Sequence, residues 1–326
     1  MYSKNRRKLM LYAAAAAIAP VAGVKARPKK YPAQPLTIVV PFSPGGNIDI
    51  TTRIVAKAMA ELMGANIIIN NRGGAGGLVG LEYTARAKPD GYTLVTCGNG
   101  GYAITPKLAP GKTVSPSDFA PIGMLSETPM TLEVPATSKL KTFAEFIDYA
   151  RANPGKLSIG HAGVGTTNQV AILQLEQAAG VKFISVPYKG SAPGLADLAG
   201  GQIDAFADQI PSSLPLISSH KIRPLVVFGK ERAPKLPQVP CTTELGVDVS
   251  VVTAACMLAP AGTPSEIIQV LNTALNAALG KAEVKKRLAD LGSAPQPMSL
   301  QEIATFLKND DEYAAGLIKK GLIKRA

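Results

Sequence analysis

The sequence contains few of the residues on which metal sites and many enzymatic nucleophiles depend. It has two histidines and three cysteines in 326 residues, and the H-E-x-x-H, C-x-x-C and G-x-S-x-G patterns are all missing. Cys97, Cys241 and Cys256 have no metal-ligand spacing; one disulfide could form in an oxidising compartment, but buried free thiols are expected. These absences argue against an enzyme.

Nucleotide and nucleic-acid signatures are also missing. The glycine-rich segment Gly73–Gly77 fits neither the dinucleotide fingerprint nor a P-loop, and we interpret it as a loop in which backbones pack closely. Gly111-Lys112-Thr113 ends like a P-loop, but Pro106 stands where the first glycine is required. Because basic residues are scattered and are not interleaved with aromatics, no nucleic-acid partner is expected.

The N-terminus has the pattern of an export signal. Four basic residues between positions 4 and 8 precede an uncharged run over 9–23, and Val24-Lys25-Ala26 ends in small residues. This order predicts a signal peptide over residues 1–26; an uncleaved amphipathic anchor is the alternative. The segment Asn5–Met10 resembles a loose twin-arginine signal.

Removal of residues 1–26 would change the overall charge. These residues include five basic and no acidic side chains, so the formal charge would fall from +12 to +7. No cysteine follows the apolar run, and a lipid anchor is therefore not expected. We predict a soluble periplasmic product whose remaining positive charge attracts anions.

The rest of the chain alternates short apolar runs with helical patterns, which is typical of an α/β fold with largely parallel sheets. Strands are predicted at 36–40, 67–69, 92–96, 131–134, 157–159, 183–186, 203–206 and 224–228, and the apolar spacing from Ile50 to Leu62 predicts a helix. Capping boxes at Thr142/Glu145 and Ser299/Glu302 predict helix starts, as does Thr263–Glu266 with Pro264 at the first helical position.

About 300 mature residues exceed what one hydrophobic core usually serves. The block 130–234 has its own series of strands and helices, which predicts a second lobe inserted into a first lobe made of 27–129 and 235–326. The chain then crosses between the lobes twice, and two crossings permit hinge closure over a ligand.

Two loops have the composition of anion sites. Ser43–Asp49 and Gly160–Thr167 each place glycines and short polar residues after a strand and before a helix. The first amides of a helix have no intrahelical partner, and the helix dipole adds partial positive charge. A carboxylate can therefore be held without arginine, with Asn47, Thr166 and Thr167 adding hydrogen bonds. Ordinary tight turns are the alternative.

The remaining ionisable candidates have more than one interpretation. His161 could contact a ligand or be a plain loop histidine, and His220 is expected to be exposed. Asp49 and Asp208 could form a carboxylate pair, although capping or hydrogen-bonding roles are commoner.

Several motifs resemble the substrate-binding proteins of tripartite tricarboxylate transporters, the Bug family. They occur in the family's order across nearly the whole mature chain: 41–49, 71–77, 87–94, 118–122, 186–193, 200–204, 236–240 and 259–264. The resemblance implies a type II periplasmic-binding fold with two lobes and a ligand cleft. It also implies a small carboxylate ligand and a membrane permease as partner.

The resemblance and the loop chemistry together predict the ligand-binding residues. These are Ser43, Gly45, Gly46, Asn47, Asp49, Gly98, Asn99, His161, Ala162, Gly163, Gly165, Thr166, Thr167, Tyr188 and Asp208. No cofactor or metal is expected, and the protein is predicted to act as a monomer.

The chain departs from the family pattern at three places. Gln169 stands where relatives often have histidine, the segment 254–257 lacks the usual aromatic, and the loop after Gly98 is richer in glycine. Such positions set the shape of the pocket and therefore the choice of ligand. A sensory binding protein of the same fold, and a secreted enzyme using Asp49 or His161, are the alternative functions.

Overall fold

The computed structural model describes residues 31–323 except Pro110 and Lys112. The predicted signal peptide, residues 1–26, lies outside the described residues. In the part of the chain that is described, no helix is long and apolar enough to cross a bilayer.

The first part of the chain alternates strands and helices, as its apolar periodicity predicts. Its elements are β1 Leu36–Val40, α1 Asn47–Met63, β2 Ile67–Asn71, α2 Leu78–Ala85, β3 Thr93–Gly98, α3 Asn99–Ala103 and α4 Thr105–Leu108. Helix α1 buries the apolar face that includes Ile54, Val55 and Met59, and it ends at Gly64, whose φ of 61° is a left-handed cap.

The middle of the chain begins with a long strand and then continues the alternation. Its elements are β4 Phe119–Pro135, α5 Phe143–Ala152, β5 Ser158–His161, α6 Thr167–Ala179, β6 Ile184–Pro187, α7 Ser191–Ala199, β7 Ala205–Gln209, α8 Ile210–Ser218 and β8 Ile222–Val227. The predicted strand at 131–134 is therefore only the end of β4, which has 17 residues.

The last part of the chain contains mainly helices. Its elements are β9 Val252–Pro260, α9 Ser265–Gly280, α10 Ala282–Asp290, β10 Ala294–Pro295 and α11 Leu300–Lys319. Both predicted capping boxes are confirmed, at the starts of α5 and α11. The prediction for Pro264 is wrong by one position, because α9 begins at Ser265 and Pro264 is its N-cap.

The strands follow one path in the order β2-β1-β3-β9-β4-β7-β5-β6, and β8 and β10 also pair with β4. Strand β1 is parallel to β2 and β3, and β5 is parallel to β6 and β7. The pairs that involve β4 or β9 are antiparallel. The α/β fold is that of type II periplasmic binding proteins, as predicted. The prediction of largely parallel sheets is wrong, because β4 and β9 run antiparallel to the strands that they pair with.

Strand β4 connects two sheets, here called the first and second sheets. Up to Pro129 it pairs with β9 in the first sheet, and from Met130 it pairs with β7 and β8 in the second. Separate hydrophobic clusters cover the two sheets; Val249 and Val251 pack with the second, just before β9 begins. The residue boundaries of the two lobes stay a prediction.

The cysteines lie inside the protein. Cys97 on β3 is opposite Cys256 on β9 in the antiparallel register, and Cys241 is also buried. All three thiols are free, as the sequence led us to expect.

Candidate functional site

A cavity lies where loops of the first sheet meet loops of the second. Its wall is formed by Phe42, Gly46, Asn47, Ile48, Gly98, Gly101, Ala162, Thr166, Thr167, Asn168, Ser191, Gln209 and Thr253. Phe42, Ile48 and Ala162 give it an apolar part, and the remaining side chains are small or neutral and polar. We call this cavity the cleft.

Three helices begin at the cleft. The first residues of α1, α6 and α7 are Asn47, Thr167 and Ser191, and all three line it. The amides of a first helical turn have no intrahelical acceptor, and the dipole of each helix gives its start a partial positive charge. Three such starts at one cavity form an environment that stabilises an anion.

Asn47 is the clearest sign of a missing partner. Its side chain is 2% exposed and lines the cleft, yet neither Oδ1 nor Nδ2 has a hydrogen-bond partner among residues 31–323 as the structure describes them. A buried amide without partners costs roughly 1–3 kcal/mol, so such groups in native proteins usually face a ligand or water. Asn47 can both donate a hydrogen bond to a ligand oxygen and accept one from a ligand donor.

The cleft has no positively charged side chain. No lysine, arginine or histidine is among the described residues that line it. Nor does any group of three His, Cys, Asp or Glu side chains in the described parts of the chain have a metal-binding arrangement. Backbone amides and neutral polar side chains must therefore carry any anion recognition here.

Glycines allow loops on the two sides of the cleft to meet backbone to backbone. A Cβ atom at Gly76 would lie 2.0 Å from the carbonyl oxygen of Val164, and one at Gly163 would lie 2.8 Å from Gly76 Cα. The interpretation of Gly73–Gly77 as a closely packed loop is thereby confirmed. Nearby, the Ser43 amide donates to the carbonyl of Lys189 at 3.2 Å.

These contacts hold the cleft closed. Its volume is about 30 Å³, which is room for about two water molecules. Two side-chain hydrogen bonds cross from one side of the cleft to the other. Gln209 Nε2 donates to Thr253 Oγ1 at 2.8 Å, and Gln174 Nε2 donates to the Tyr313 hydroxyl at 2.8 Å. These two bonds join the side of the first sheet to the side of the second.

Six of the predicted ligand-binding residues line the cleft: Gly46, Asn47, Gly98, Ala162, Thr166 and Thr167. Three others from the first loop do not. Ser43 Oγ is buried without a partner beside the cleft, and the Gly45 amide donates to Asp49 Oδ2 at 3.0 Å. Ligand contact by these residues stays a prediction.

Asp49 braces the first loop instead of facing the cleft. It accepts hydrogen bonds from Arg53 Nε at 3.0 Å and Asn71 Nδ2 at 2.8 Å. Burial on its own raises the pKa of Asp49, but the bonds from Arg53, Gly45 and Asn71 outweigh it and leave that pKa below its usual value. Asp49 therefore has a hydrogen-bonding role, which is one of the alternatives that the sequence left open. It does not form a carboxylate pair with Asp208; the carboxyl that lies across Ser213 from Asp208 is that of Glu133.

The second loop contains residues that shape its backbone. His161 is buried, and its ring nitrogens contact the Gly163 backbone and Ser185 Oγ. Burial lowers the pKa of His161 to about 4, so the ring is neutral at pH 7. A Cβ atom at Gly165 would lie 2.6 Å from Thr105 Oγ1. The plain loop role of His161 fits this geometry.

Tyr188 and Asn99 also lie off the cleft. The Tyr188 hydroxyl donates to Asp197 at 2.8 Å. Asn99 connects three elements: its Oδ1 accepts from Thr167 Oγ1 and from the Ala254 amide, and its Nδ2 donates to Asp310. Asn99 therefore fixes the position of Thr167 at the start of α6.

Asp208 lies behind the wall of the cleft. It is fully buried, and its Oδ1 accepts from Ser191 Oγ at 2.6 Å and from Asn168 Nδ2 at 3.2 Å. Ser213 Oγ lies 3.3 Å from Asp208 Oδ2 and 2.8 Å from Glu133 Oε2, so it bridges two buried carboxyls. Burial raises the pKa of Asp208, and burial together with the Asp208 charge raises that of Glu133.

Sequence reasoning missed seven wall residues: Phe42, Ile48, Gly101, Asn168, Ser191, Gln209 and Thr253. Phe42, Ile48 and Ser191 lie inside family motifs, and Asn168 follows the second loop, so adjacency could have suggested them. Gln209 and Thr253 come from strands that meet only through the long-range pairing of the fold, and no local signal marks them.

A second cavity, of about 250 Å³, lies beyond Asn99. It is lined by Asn99, Gly100, Thr167, Asp310, Tyr313 and residues of α6, α11 and the segment before β9. Burial raises the pKa of Asp310. In its ionised form this side chain would repel a carboxylate in the second cavity. The smaller cleft, where three helix starts meet, is therefore the better carboxylate site.

Residues 51–322 match the family model described as "Tripartite tricarboxylate transporter family receptor". The chain belongs to this family. The match includes the starts of α6 and α7, which border the cleft, although it begins just after the first loop. The prediction of a solute-binding protein instead of an enzyme is confirmed by this membership.

Curated relatives of this receptor family match over most of their length. The chain is 34% identical over 291 residues to a protein of the tcbD-tcbE intergenic region of Pseudomonas sp. strain P51, covering 88% of this chain and 86% of the relative. It is 30% identical over 298 residues to protein BugT of Bordetella pertussis, covering 89% and 90%.

Solved receptors have the same fold. The periplasmic binding protein BugD superposes with a TM-score of 0.86 at 32% identity, covering 90% of this chain and all of that chain. MatC of Rhodopseudomonas palustris with bound malate has a TM-score of 0.84 at 32% identity, covering 88% and 100%. R. palustris Rpa4515 with adipate has a TM-score of 0.85 at 32% identity, covering 89% and 97%.

Proposed function

We propose that this receptor captures a small organic carboxylate in the cleft, outside the cytoplasm, and delivers it to a membrane permease of the tripartite tricarboxylate type. Binding occurs without chemical change. The single observation that carries the proposal is the start of three helices at one cavity that also contains the unpartnered side chain of Asn47.

The chemistry of the cleft favours a carboxylate. Amides at the starts of α1, α6 and α7 donate to its oxygens, and Asn47 Nδ2 adds a further donor. Phe42, Ile48 and Ala162 contact the carbon chain. The two related structures with malate and adipate support this ligand class, as does the positive formal charge of the chain.

The route of the ligand follows from the closed cleft. The two lobes move apart to admit the ligand and close over it, with the crossings at β4 and at the start of β9 acting as the hinge. Within the predicted division into 27–129 with 235–326 and 130–234, the segment just before β9 then moves with the second lobe, because Val249 and Val251 pack there. In this proposal the signal peptide predicted over residues 1–26 directs export, by the general or the twin-arginine route, and the receptor acts as a monomer in the periplasm.

A thermal-shift screen of the chain, expressed with its own N-terminus and purified after export, tests the proposal. The compounds are small mono-, di- and tricarboxylates, each paired with its neutral amide. Because a ligand that binds only the folded state stabilises it by roughly 2.7 kcal/mol at a hundredfold excess over Kd, at least one acid should raise Tm while its amide does not.

Mass spectrometry of the denatured sample identifies any acid that co-purifies, and the screen is then repeated after unfolding and refolding. If neither co-purified acid nor Tm shift is found, the carboxylate function is wrong. Co-purification of the receptor with a membrane permease from the native organism tests the transport part separately.

A further inference from the structure

The polar side chains around the cleft differ in which hydrogen-bonding atoms they leave for a ligand. We call Thr166, Thr167, Asn168, Ser191 and Gln209 the side-chain wall; all five line the cleft. Each of them has donors that point to neighbouring protein atoms. The direction of each donor follows from a neighbouring group that can only accept or only donate a hydrogen bond, such as a carbonyl, an amide or a carboxylate.

Asn168 and Gln209 are oriented by a carbonyl. Asn168 Nδ2 lies 2.8 Å from the carbonyl oxygen of Ala207, which can only accept, so the NH2 group of Asn168 must face it. Asn168 Oδ1 then faces Gln209, whose Nε2 donates to it at 3.2 Å and to Thr253 Oγ1 at 2.8 Å. Both protons of Gln209 are used, which leaves its Oε1 as the atom for a ligand.

Ser191 is oriented by Asp208. The Ser191 hydroxyl lies 2.6 Å from Asp208 Oδ1, which also accepts from Asn168. Ser212 donates to the other oxygen, Asp208 Oδ2, at 2.5 Å. Because Asp208 accepts all these bonds, the Ser191 proton points away from the cleft and a ligand meets only Ser191 Oγ lone pairs.

The two threonines at the start of α6 follow the same rule. Thr166 Oγ1 donates to the Gly163 carbonyl at 2.6 Å. Thr167 Oγ1 donates to Asn99 Oδ1 at 3.1 Å, and the Ala254 amide, which can only donate, fixes that oxygen of Asn99 in place. The side-chain wall therefore presents acceptors to the cleft.

Donors come from a different set of groups. They are the amides at the helix starts, Asn47 Nδ2, and the Thr253 hydroxyl, which accepts from Gln209 and keeps its own proton. A plain carboxylate would bond to these donors but would leave the acceptors of the side-chain wall without partners. An unpaired buried acceptor weakens binding, whereas a donor on the ligand would satisfy it.

We propose that the cleft selects carboxylates that carry a hydroxyl or ammonium group on the carbon chain, and that Asp208 is a positioning residue for this preference because it orients the Ser191 hydroxyl. The proposal rests on the carboxylate function proposed above. The expected ligands are hydroxy and amino acids, and unsubstituted acids of the same length should bind with lower affinity.

The environment of Asp208 supports its role as an acceptor. The groups that face it are Ser191 on α7, Asn168 on α6, Ser212 and Ser213 on α8, and across Ser213 the Glu133 carboxyl on β4. Burial raises the pKa of both carboxyls, but the donors from Ser191, Ser212 and Asn168 oppose that rise at Asp208 and use its oxygens as acceptors.

Calorimetry with two matched series tests the preference: succinate, malate and aspartate, and glutarate, 2-hydroxyglutarate and glutamate. In at least one series the substituted acid should bind about tenfold more tightly than the plain acid, which is the effect of one added hydrogen bond. Equal or tighter binding of the plain acids would overturn the preference alone. Absence of binding by every carboxylate in these series and in the earlier screen would overturn the carboxylate function as well.

The role of Asp208 is tested by two substitutions at this position. Asp208→Ala removes the acceptor, frees the Ser191 proton for the ligand, and should reduce the preference to less than threefold. Asp208→Asn can turn its oxygen towards Ser191 and Asn168 and its NH2 group towards Ser212, so it should keep the preference. The ratio of two affinities is measured, because a general loss of structure would lower both.

If Asp208→Ala does not fold, Ser191→Ala replaces it and should lower the preference about fivefold by removing one wall acceptor. If the alanine variant that folds keeps the full preference for the substituted acid, Asp208 and Ser191 do not contribute to that preference. Loss of the preference in Asp208→Asn as well would overturn the hydrogen-bond explanation.

Discussion

Asp49 and Asp208 lie close to the starts of helices at the same cleft, yet their surroundings are opposite. Asp49 has a cation beside it, since Arg53 NH2 is 2.9 Å from its Oδ1, and the Arg53 side chain is half exposed. Asp208 is fully buried among serines and a second carboxyl, and no cation of the described residues contacts it. Neither lines the cleft; each holds in place the residues that do.

The comparison shows that a carboxyl's role depends on what surrounds it and not on its place next to a helix. The pKa of Asp49 is lowered by its donors, so its charge stabilises the fold. The pKa of Asp208 is raised by burial. Asp49 thus fixes a loop through an ion pair, while Asp208 fixes the hydrogen-bond polarity of a wall.

The largest effect on stability is expected at Asp208. Asp208→Ala leaves the Ser191, Ser212 and Asn168 donors without their acceptor, and we expect a loss of about 3 kcal/mol in the free energy of unfolding. Urea titration at pH 7 measures it, with Asp208→Asn as the matched control, for which about 1 kcal/mol is expected. A loss below 1 kcal/mol for the alanine variant would show that these hydroxyls find other partners.

The second effect concerns pH at Glu133. Burial and the Asp208 charge raise the pKa of Glu133 above the usual glutamate value, so the folded state holds a proton that the unfolded state releases, and stability falls as pH rises above that usual value. Glu133→Gln removes this loss, so its stability relative to the wild type should increase steadily with pH. Melting curves between pH 4.5 and 8.5 measure the slopes; parallel curves would contradict the buried acid pair.

A smaller effect of opposite sign is expected at Asp49. Its lowered pKa contributes stability that is present at neutral pH and is lost as pH falls below the usual aspartate pKa. Because Arg53 is half exposed, solvent screens the pair, and Asp49→Asn should cost less than about 1 kcal/mol at pH 7. The cost should decrease as pH falls through the lowered pKa of Asp49 in the same urea assay; a cost that does not change with pH would mean that charge is not involved.

Local signals in the sequence were sufficient for much of the fold. The strand at Leu36–Val40 and the helix around Ile54 follow from apolar periodicity, and the Thr142 and Ser299 caps follow from side chains that satisfy neighbouring amides. The two anion loops were recognisable because glycine and short polar residues stand directly before α1 and α6.

The features that were not predicted depend on the pairing of strands that are far apart in the sequence. The length of β4 depends on successive partners in two sheets, and periodicity within Phe119–Pro135 does not show it. Gln209 and Thr253 meet only because β7 and β9 both pair with β4. Glu133 was missed as the partner of Asp208 for the same reason, because one residue lies on β4 and the other on β7.

The central claim is that a neutral cavity holds a carboxylate through helix starts and Asn47. Asn47→Asp tests it most directly, because it keeps the size of the side chain and places a negative charge where the ligand's charge should lie. Calorimetry with the carboxylate that gives the largest Tm shift should show at least a hundredfold loss of affinity. The exposed Asn66→Asp variant, with the same charge change, should bind as the wild type does. Binding by Asn47→Asp within threefold of the wild type would contradict the account.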